Sequence, residues 1–427
     1  MENKYVLGTS DNRDFLRDQR FVLLDFGRGF ASPEGGAYYL GDAGEPWKDR
    51  PRETWITSRM AHVYSMAAML GYDGAKELAL AAINGLLGEL HDDVNGGWYA
   101  GRTADGGILP DKQCYAHAFV ILAASSAKLA GIEGADRLLD EALSTYEKYF
   151  WDDAEGLAVD TWDTEFKVLS DYRGLNANMH TVEAFLAVTD VTGDGKYRER
   201  AGRIIDRVIG WARENEWRIP EHFSEKWVAD LDCNIDKPDD CFKPYGATPG
   251  HGIEWARLIT QWAVATSDKA AEPYIEVAEK LYDRAVSDAW NADGAPGICY
   301  TTDWDGKPVV HDRMHWTLAE AINTSSVLYR VSVAKAKEGG SSVNLDQVER
   351  YAHDYEMFMR YLDECVIDHK NGSWFHQLDR DNKVIGTVWP GKSDLYHAVQ
   401  ATLIPYSVDV GVSIAVTLSL PQQPRQR

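Results

Sequence analysis

Apolar residues recur at three- and four-residue spacing along most of the chain. "RMAHVYSMAAMLGY", "KELALAAINGLLGEL", "QCYAHAFVILAASSAKLAG", "ADRLLDEALSTYEKYF", "MHTVEAFLAVTDVTG", "YIEVAEKLYDRAVSDAW" and "VERYAHDYEMFMRYLDECV" all carry this period. The period predicts about a dozen helices. A second element recurs between them: a glycine, aromatic or β-prone residues, then a turn. It appears as "EGGAYYLGDAG", "NGGWYAGRTADGG", "EGLAVDTWDTEF", "PGICYTTDWDGKP" and "NGSWFHQLDRDNK", with "EHFSEKW" as a weaker copy. A helix pair followed by a short hairpin, recurring every ~60 to 75 residues, is a repeat signature. Six such units predict an all-α fold, an (α/α)6 barrel with short β-hairpins in the loops at the active-site mouth. Residues 1–427 read as one catalytic domain. The polar stretch 335–347 reads as an internal loop, and about 420–427, "PQQPRQR" included, as a disordered tail.

Composition narrows the function. The 427 residues are 44% hydrophobic, enough for a large core, and the net charge is −23. Such a chain repels nucleic acid and anionic membranes. The 15 Trp and 21 Tyr suit a carbohydrate pocket, where rings stack on sugar faces, although most serve the core. Five cysteines without CxxC spacing, an N-terminus without an apolar export segment and the lack of a long apolar run predict a reduced, cytoplasmic protein. A homo-oligomer is compatible with these features.

In an α/α barrel the inner helices run parallel, so residues in their first turns converge on one mouth. His251 follows "ATPG", where Thr248 suits the cap and Pro249 the first helical position. His180 follows Asn176 and Asn178, either a candidate cap, and His397 follows Ser393. The helix dipole disfavours an imidazolium there, so three histidines at three helix starts point to neutral imidazoles kept for proton transfer. Arg59 lies on a mostly apolar helix and needs a carboxylate or ligand. Glu254, three residues after His251, is placed to orient that imidazole or to bind a hydroxyl. Trp316 and Glu320 lie one turn apart, Tyr115 and His117 lie in "CYAHAF", and His117 suits a core position. His311 and His315 have zinc-like i, i+4 spacing, but no third ligand is marked, so no metal is assigned. The chain has no phosphate loop, nucleophile elbow or dinucleotide fingerprint, and no cofactor is assigned.

"WITSRMAHVYSMAAMLG", "NGGWYAG", "YRGLNANMHTVEAFL", "PYGATPGHGIEWARL", "DWDGKPVVHDRMHW" and "VWPGKSDLYHAVQATLIP" together resemble the N-acylglucosamine 2-epimerase superfamily. The similarity runs from about residue 15 to 405 and is greatest to its bacterial aldose–ketose isomerases of mannose or sulfoquinovose. The resemblance implies an (α/α)6 barrel and a metal-independent reaction through a cis-enediol. It implies His251 and His397 as the catalytic pair. Arg59, Tyr115, Asn176, His180, Glu254, Trp316, Glu320, Trp389 and Gln377 are implied as substrate-binding residues. A monosaccharide is the implied partner, with His397 shuttling the C1/C2 proton and His251 serving ring opening, roles that are interchangeable at this stage.

One departure selects among substrates. The sulfoquinovose branch implies an arginine before "FKPYG" and glutamines after "GSW" and before "DLYH". This chain has Cys241, His376 and Ser393 there, with Lys243 and Gln377 displaced. Losing a bidentate arginine weakens a sulfonate site, so interconversion of D-mannose and D-fructose is expected. A sulfo-sugar isomerase, a 2-epimerase of the same superfamily, an inverting (α/α)6 glycoside hydrolase and a non-catalytic sugar-binding protein are the alternatives.

Overall fold

The structure, a computed structural model, describes residues 2–267, 269–339 and 345–420. Helix α1 (Ser10–Gly27) is followed by the pairs α2 (Thr54–Met69) and α3 (Ala75–Leu87), α4 (Cys114–Leu129) and α5 (Ala135–Tyr149), and α6 (Leu175–Thr192) and α7 (Gly195–Glu214). The pairs α8 (Pro249–Thr266) and α9 (Glu272–Ala289), and α10 (His315–Gly339) and α11 (Leu345–Tyr361), continue the series before α12 (Tyr396–Ala401) and α13 (Ile414–Ser419). The even-numbered helices form a closed inner ring, each packed on the next, and α12 returns to α2. Each odd-numbered helix from α3 to α11 packs outside its even-numbered partner, while α1, first in the chain, packs on α12. The fold is an (α/α)6 barrel.

Hydrophobic patterning separates the two rings. In α2 every residue from Thr54 to Ala67 is buried, because neighbours surround it on all sides. In α7 the buried positions Tyr197, Ala201, Ile204, Ile205, Val208 and Ala212 form one stripe, and charged residues face outward.

The hairpins lock the repeats together at the mouth. A backbone amide at or just before each inner-helix start donates to a carbonyl in a neighbouring repeat's hairpin. These bonds are Thr54 to Ala100 (2.9 Å), Cys114 to Asp160 (2.8 Å), Leu175 to Glu221 (3.1 Å), Ala247 to Thr302 (3.0 Å), His315 to His376 (3.1 Å) and Lys392 to Leu40 (3.0 Å). The last of them ties the end of the chain to its beginning. Backbone partners from a neighbouring hairpin therefore satisfy the first amide of α2, α4, α6 and α10. This corrects the expected caps. Thr248 occupies the cap position of α8 without a capping hydrogen bond. Asn176 and Asn178 lie inside α6, which starts at Leu175 and puts His180 in the second turn. Ser393 accepts no amide of α12, and its hydroxyl instead accepts the Leu40 amide and donates to the Leu40 carbonyl.

Buried cations brace the hairpins. Lys112 Nζ lies 2.8 Å from Asp92, with both side chains fully buried, and Asp92 also accepts the amides of Val94 and Asn95. Lys392 and Asp368 repeat this device at 2.6 Å, with the amides of Lys370 and Asn371. The stretch expected as a loop at 335–347 is helical over 335–339 and 345–347, and 340–344 lie outside the described residues. Most of the expected tail, 421–427, also lies outside them. Helix α13, which sequence periodicity did not single out, packs against α2, α4 and α6. Among the described residues no helix is long and apolar enough to cross a membrane.

Candidate active site

The inner helix starts and the hairpins line a cavity that opens to solvent, with about 620 Å³ of space between its walls and mouth. Trp55 and Arg59 reach it from α2, Tyr115 from α4, Asn176 and His180 from α6, and His251 and Glu254 from α8. His315 and Trp316 come from α10 and His397 from α12. The loops add Cys241, Phe242, His376, Trp389 and Asp394. Of the residues implied as catalytic or substrate-binding, Glu320 and Gln377 do not line the cavity. Glu320 is fully buried behind His397. The Gln377 amide donates to Asp312 and Thr387 and accepts the backbone amides of Val388 and Trp389, so it fixes the loop that carries Trp389.

Three cavity histidines share one arrangement. His180 Nδ1 lies 3.2 Å from Glu183, His251 Nδ1 3.0 Å from Glu221, and His397 Nδ1 2.9 Å from Glu320. An ionised carboxylate only accepts, so Nδ1 carries the proton and Nε2 is left as the free basic nitrogen. Sequence reasoning expected Glu254 to orient His251. The structure gives that task to Glu221, thirty residues earlier on the hairpin strand His222–Phe223 borders. The i, i+3 spacing does hold for His180 and Glu183. Trp316 joins the two candidate catalytic rings, with centroids 4.9 Å from His251 and 5.7 Å from His397.

Behind this wall lies a charge cluster. Arg257 Nε is 2.7 Å from Glu320, and its Nη2 is 3.4 Å from Glu254 and 4.0 Å from Glu183. Glu183 also accepts from the Tyr396 hydroxyl. The hydrogen bond from His180, with Arg257, holds Glu183 well below the ordinary carboxylate range against the opposing effect of burial. Glu320 is lowered as well, by Arg257 and His397 against burial. Glu254 goes the other way: burial and the Glu320 charge push it well above the usual range. Its Oε2 faces no hydrogen-bond partner among the described residues.

On the opposite side Arg59 pairs with Asp394 and donates to the Tyr115 hydroxyl at 2.8 Å. Burial pushes the Tyr115 phenol up to about 12. The His315 and His376 rings stack with centroids 4.0 Å apart. Burial lowers His315 to about 4 and His376 further still, so both are neutral. Burial likewise lowers His180 to about 4, against the raising effect of Glu183. The zinc-like pair does not form. His311 precedes the strand Arg313–Met314 and bonds Asp293, while His315 starts α10 and contacts the Asp394 carbonyl. His117 is a core residue that accepts the Trp98 amide. Lys243 lies with its Nζ 3.7 Å from the Tyr172 ring centroid, in a neighbouring cavity that shares Trp55, Tyr115, Asn176 and Phe242.

Sequence reasoning did not assign Glu183, Glu221, Arg257, Asp394 or His315. Glu183 could have been found from its spacing to His180, and Arg257 and Asp394 from theirs to Glu254 and His397, but Glu221 reaches His251 from thirty residues away with no local signal.

A closed ring of helix pairs around an aromatic, histidine-lined cavity describes an enzyme acting on a small polar molecule, and comparison with known proteins makes it an isomerase. The family model for N-acylglucosamine 2-epimerase matches residues 35–401, and the chain belongs to this family. It is 39% identical over 397 residues to a D-mannose isomerase of Thermobifida fusca, covering 92% of this chain and 94% of that relative. A crystal structure of a D-mannose isomerase superposes with a TM-score of 0.81 at 26% identity, covering 92% of this chain and 97% of that one. The cellobiose 2-epimerase of Spirochaeta thermophila DSM 6192 has the same fold, with a TM-score of 0.75 at 20% identity, covering 93% and 98%.

Proposed function

We propose that this protein interconverts D-mannose and D-fructose through a cis-enediol, with His397 and His251 as its proton-transfer groups and without a metal. The observation that carries the reading is the pairing of two cavity histidines, each with Nδ1 on a carboxylate and each in ring contact with Trp316. In the open-chain aldose His397 Nε2 takes the C2 proton as the aldehyde oxygen gains one, which forms the enediol. Return of a proton to C1 and loss of the O2 proton then give the ketose. His251 serves the oxygens and the ring-opening step. Arg59 supplies donors where oxyanion charge develops, and Glu254, whose protonated form burial favours, faces the same cavity.

The polarity of the cavity supports a neutral sugar. Arg59 is already paired with Asp394, Lys243 sits on Tyr172, and His315 and His376 are uncharged. A sulfonate would therefore meet no uncommitted cation among these residues. Metal independence is supported by Arg257, whose guanidinium sits among Glu183, Glu254 and Glu320. Those carboxylates belong to the two buried groups with metal-like ligand spacing, and they already have a cation.

The test is a parallel assay of D-mannose and sulfoquinovose with EDTA present, following ketose formation by NMR. Turnover of mannose with little or none of sulfoquinovose is expected. Preferred turnover of sulfoquinovose, or activity lost to EDTA and restored by a divalent ion, overturns the corresponding part of the reading.

A further inference from the structure

We propose that Arg257, which does not line the cavity, is a positioning residue that sets the proton affinity of the His397–Glu320 pair and so keeps the base free near neutral pH. Arg257 stands on the same helix as His251 and Glu254, at steps of three residues. Its guanidinium is buried below the cavity floor. It reaches carboxylates from three inner helices: Glu183 on α6, Glu254 on α8 and Glu320 on α10. Two of these hold the Nδ1 atoms of cavity histidines, Glu183 that of His180 and Glu320 that of His397. One cation thus connects both imidazoles without touching either.

The consequence follows from charge counting. His397 and Glu320 hold a shared proton either as imidazolium with carboxylate or as imidazole with carboxylic acid, and both forms carry the same net charge. A positive group 2.7 Å from Glu320 opposes uptake of that proton. Burial and the Glu320 charge favour the uncharged form of Glu254. The other charged groups near His397 and Arg257 are Glu183, Asp394 and Arg59, and the last two compensate each other in their own ion pair. His180 and His315 are neutral, and Tyr396 keeps its phenolic proton. Among the described residues, Arg257 is therefore the cation bearing on the pair that a substitution removes without breaking the Arg59–Asp394 contact. Loss of its charge raises the pair's apparent pKa, so the base retains its proton at a pH where the native enzyme has released it.

The inference rests on His397 being the base, and the experiment separates the two. The pH dependence of kcat/KM for mannose is measured in the native enzyme, Arg257→Gln and Arg257→Lys. In parallel, the His397 imidazole is titrated by nitrogen-15 NMR without substrate. Arg257→Gln is expected to move both the ascending limb and the His397 titration upward by about one pH unit, a tenfold loss of kcat/KM on the acid side. Arg257→Lys, which keeps the charge, is expected to return most of the shift. A uniform fall in kcat with an unmoved limb and an unmoved titration would make Arg257 merely structural and overturn the inference. A moved titration with no native turnover of mannose would sink the substrate assignment and leave Arg257 standing. If Arg257→Gln does not fold, carbon-13 carboxyl spectra of the native enzyme decide. Glu320 must be ionised from pH 5 to 8, and a protonated Glu320 in that window refutes the proposal.

Discussion

Gly250 is where packing and catalysis meet. It is the second residue of α8, directly before His251. A Cβ there would lie 2.6 Å from the Thr317 methyl and 2.8 Å from two Trp316 ring atoms. Ordinary contact starts at 3.4 Å, so the start of α10 must yield by about 0.6–0.8 Å. Helix propensity favours alanine over glycine by about 1 kcal/mol, while overpacking costs about 1–3 kcal/mol. The two effects leave Gly250→Ala destabilised by roughly 0–2 kcal/mol. Activity suffers more, because the displaced ring contacts both His251 and His397. A ~1 Å misplacement near the chemistry costs about a hundredfold, so kcat/KM is expected to fall by about ten- to a hundredfold. Gly210→Ala is the control: this exposed glycine of α7 has open space around its Cβ. It is expected to gain about 1 kcal/mol with unchanged turnover. The assay pairs urea midpoints with mannose kinetics for both variants. If Gly250→Ala gained the same stability as Gly210→Ala and kept native kcat/KM, the packing argument for Trp316 would be refuted.

Three further outcomes follow from buried charge. Lys112→Met leaves Asp92 ionised in a fully buried site and should cost about 3–5 kcal/mol by denaturant titration; a loss below 1 kcal/mol contradicts the bracing role. Lys392 and the neighbouring amides hold Asp368 at about 2 rather than 3.8, against the raising effect of burial. Its stabilisation is present above pH ~4 and disappears as the pH falls towards 2, and Lys392→Met should weaken that acid dependence. Burial lowers His62, His180 and His315 from 6.5 to about 4, so the unfolded chain binds protons that the folded protein refuses. Stability should therefore be full above pH ~6.5 and fall towards pH 4, and urea midpoints that stay flat across this window would contradict the burial of these groups.

The repeat of helix pair and hairpin was legible because it alternates 3.6-residue apolar periodicity with glycine and aromatic turns. Closure of the ring was not legible: Leu40 meets Lys392 and α1 meets α12 only through contacts spanning almost the entire chain. The caps failed for a related reason. Asn178 is a good cap by type, but its side chain bonds the Ala158 backbone, and the first amide of α6, that of Leu175, finds its partner in the next hairpin. At the site, residues that face the cavity from one helix could be read from spacing, as with His251 and Glu254. Partners arriving from another repeat could not, which is why Glu221, not Glu254, holds His251. Gln377 shows the limit of proximity in sequence: it follows His376, which lines the cavity, yet a strand reverses its direction and its amide serves the Trp389 loop.

The most direct test of the account is deuterium exchange from D2O into mannose and fructose, followed by NMR for the native enzyme and for His397→Asn. The native enzyme should place deuterium at the carbon that receives the transferred proton. His397→Asn should lower both exchange and isomerisation by about 10²- to 10⁴-fold while leaving the fold intact. Exchange in His397→Asn at the native rate would contradict the assignment of His397 as the base.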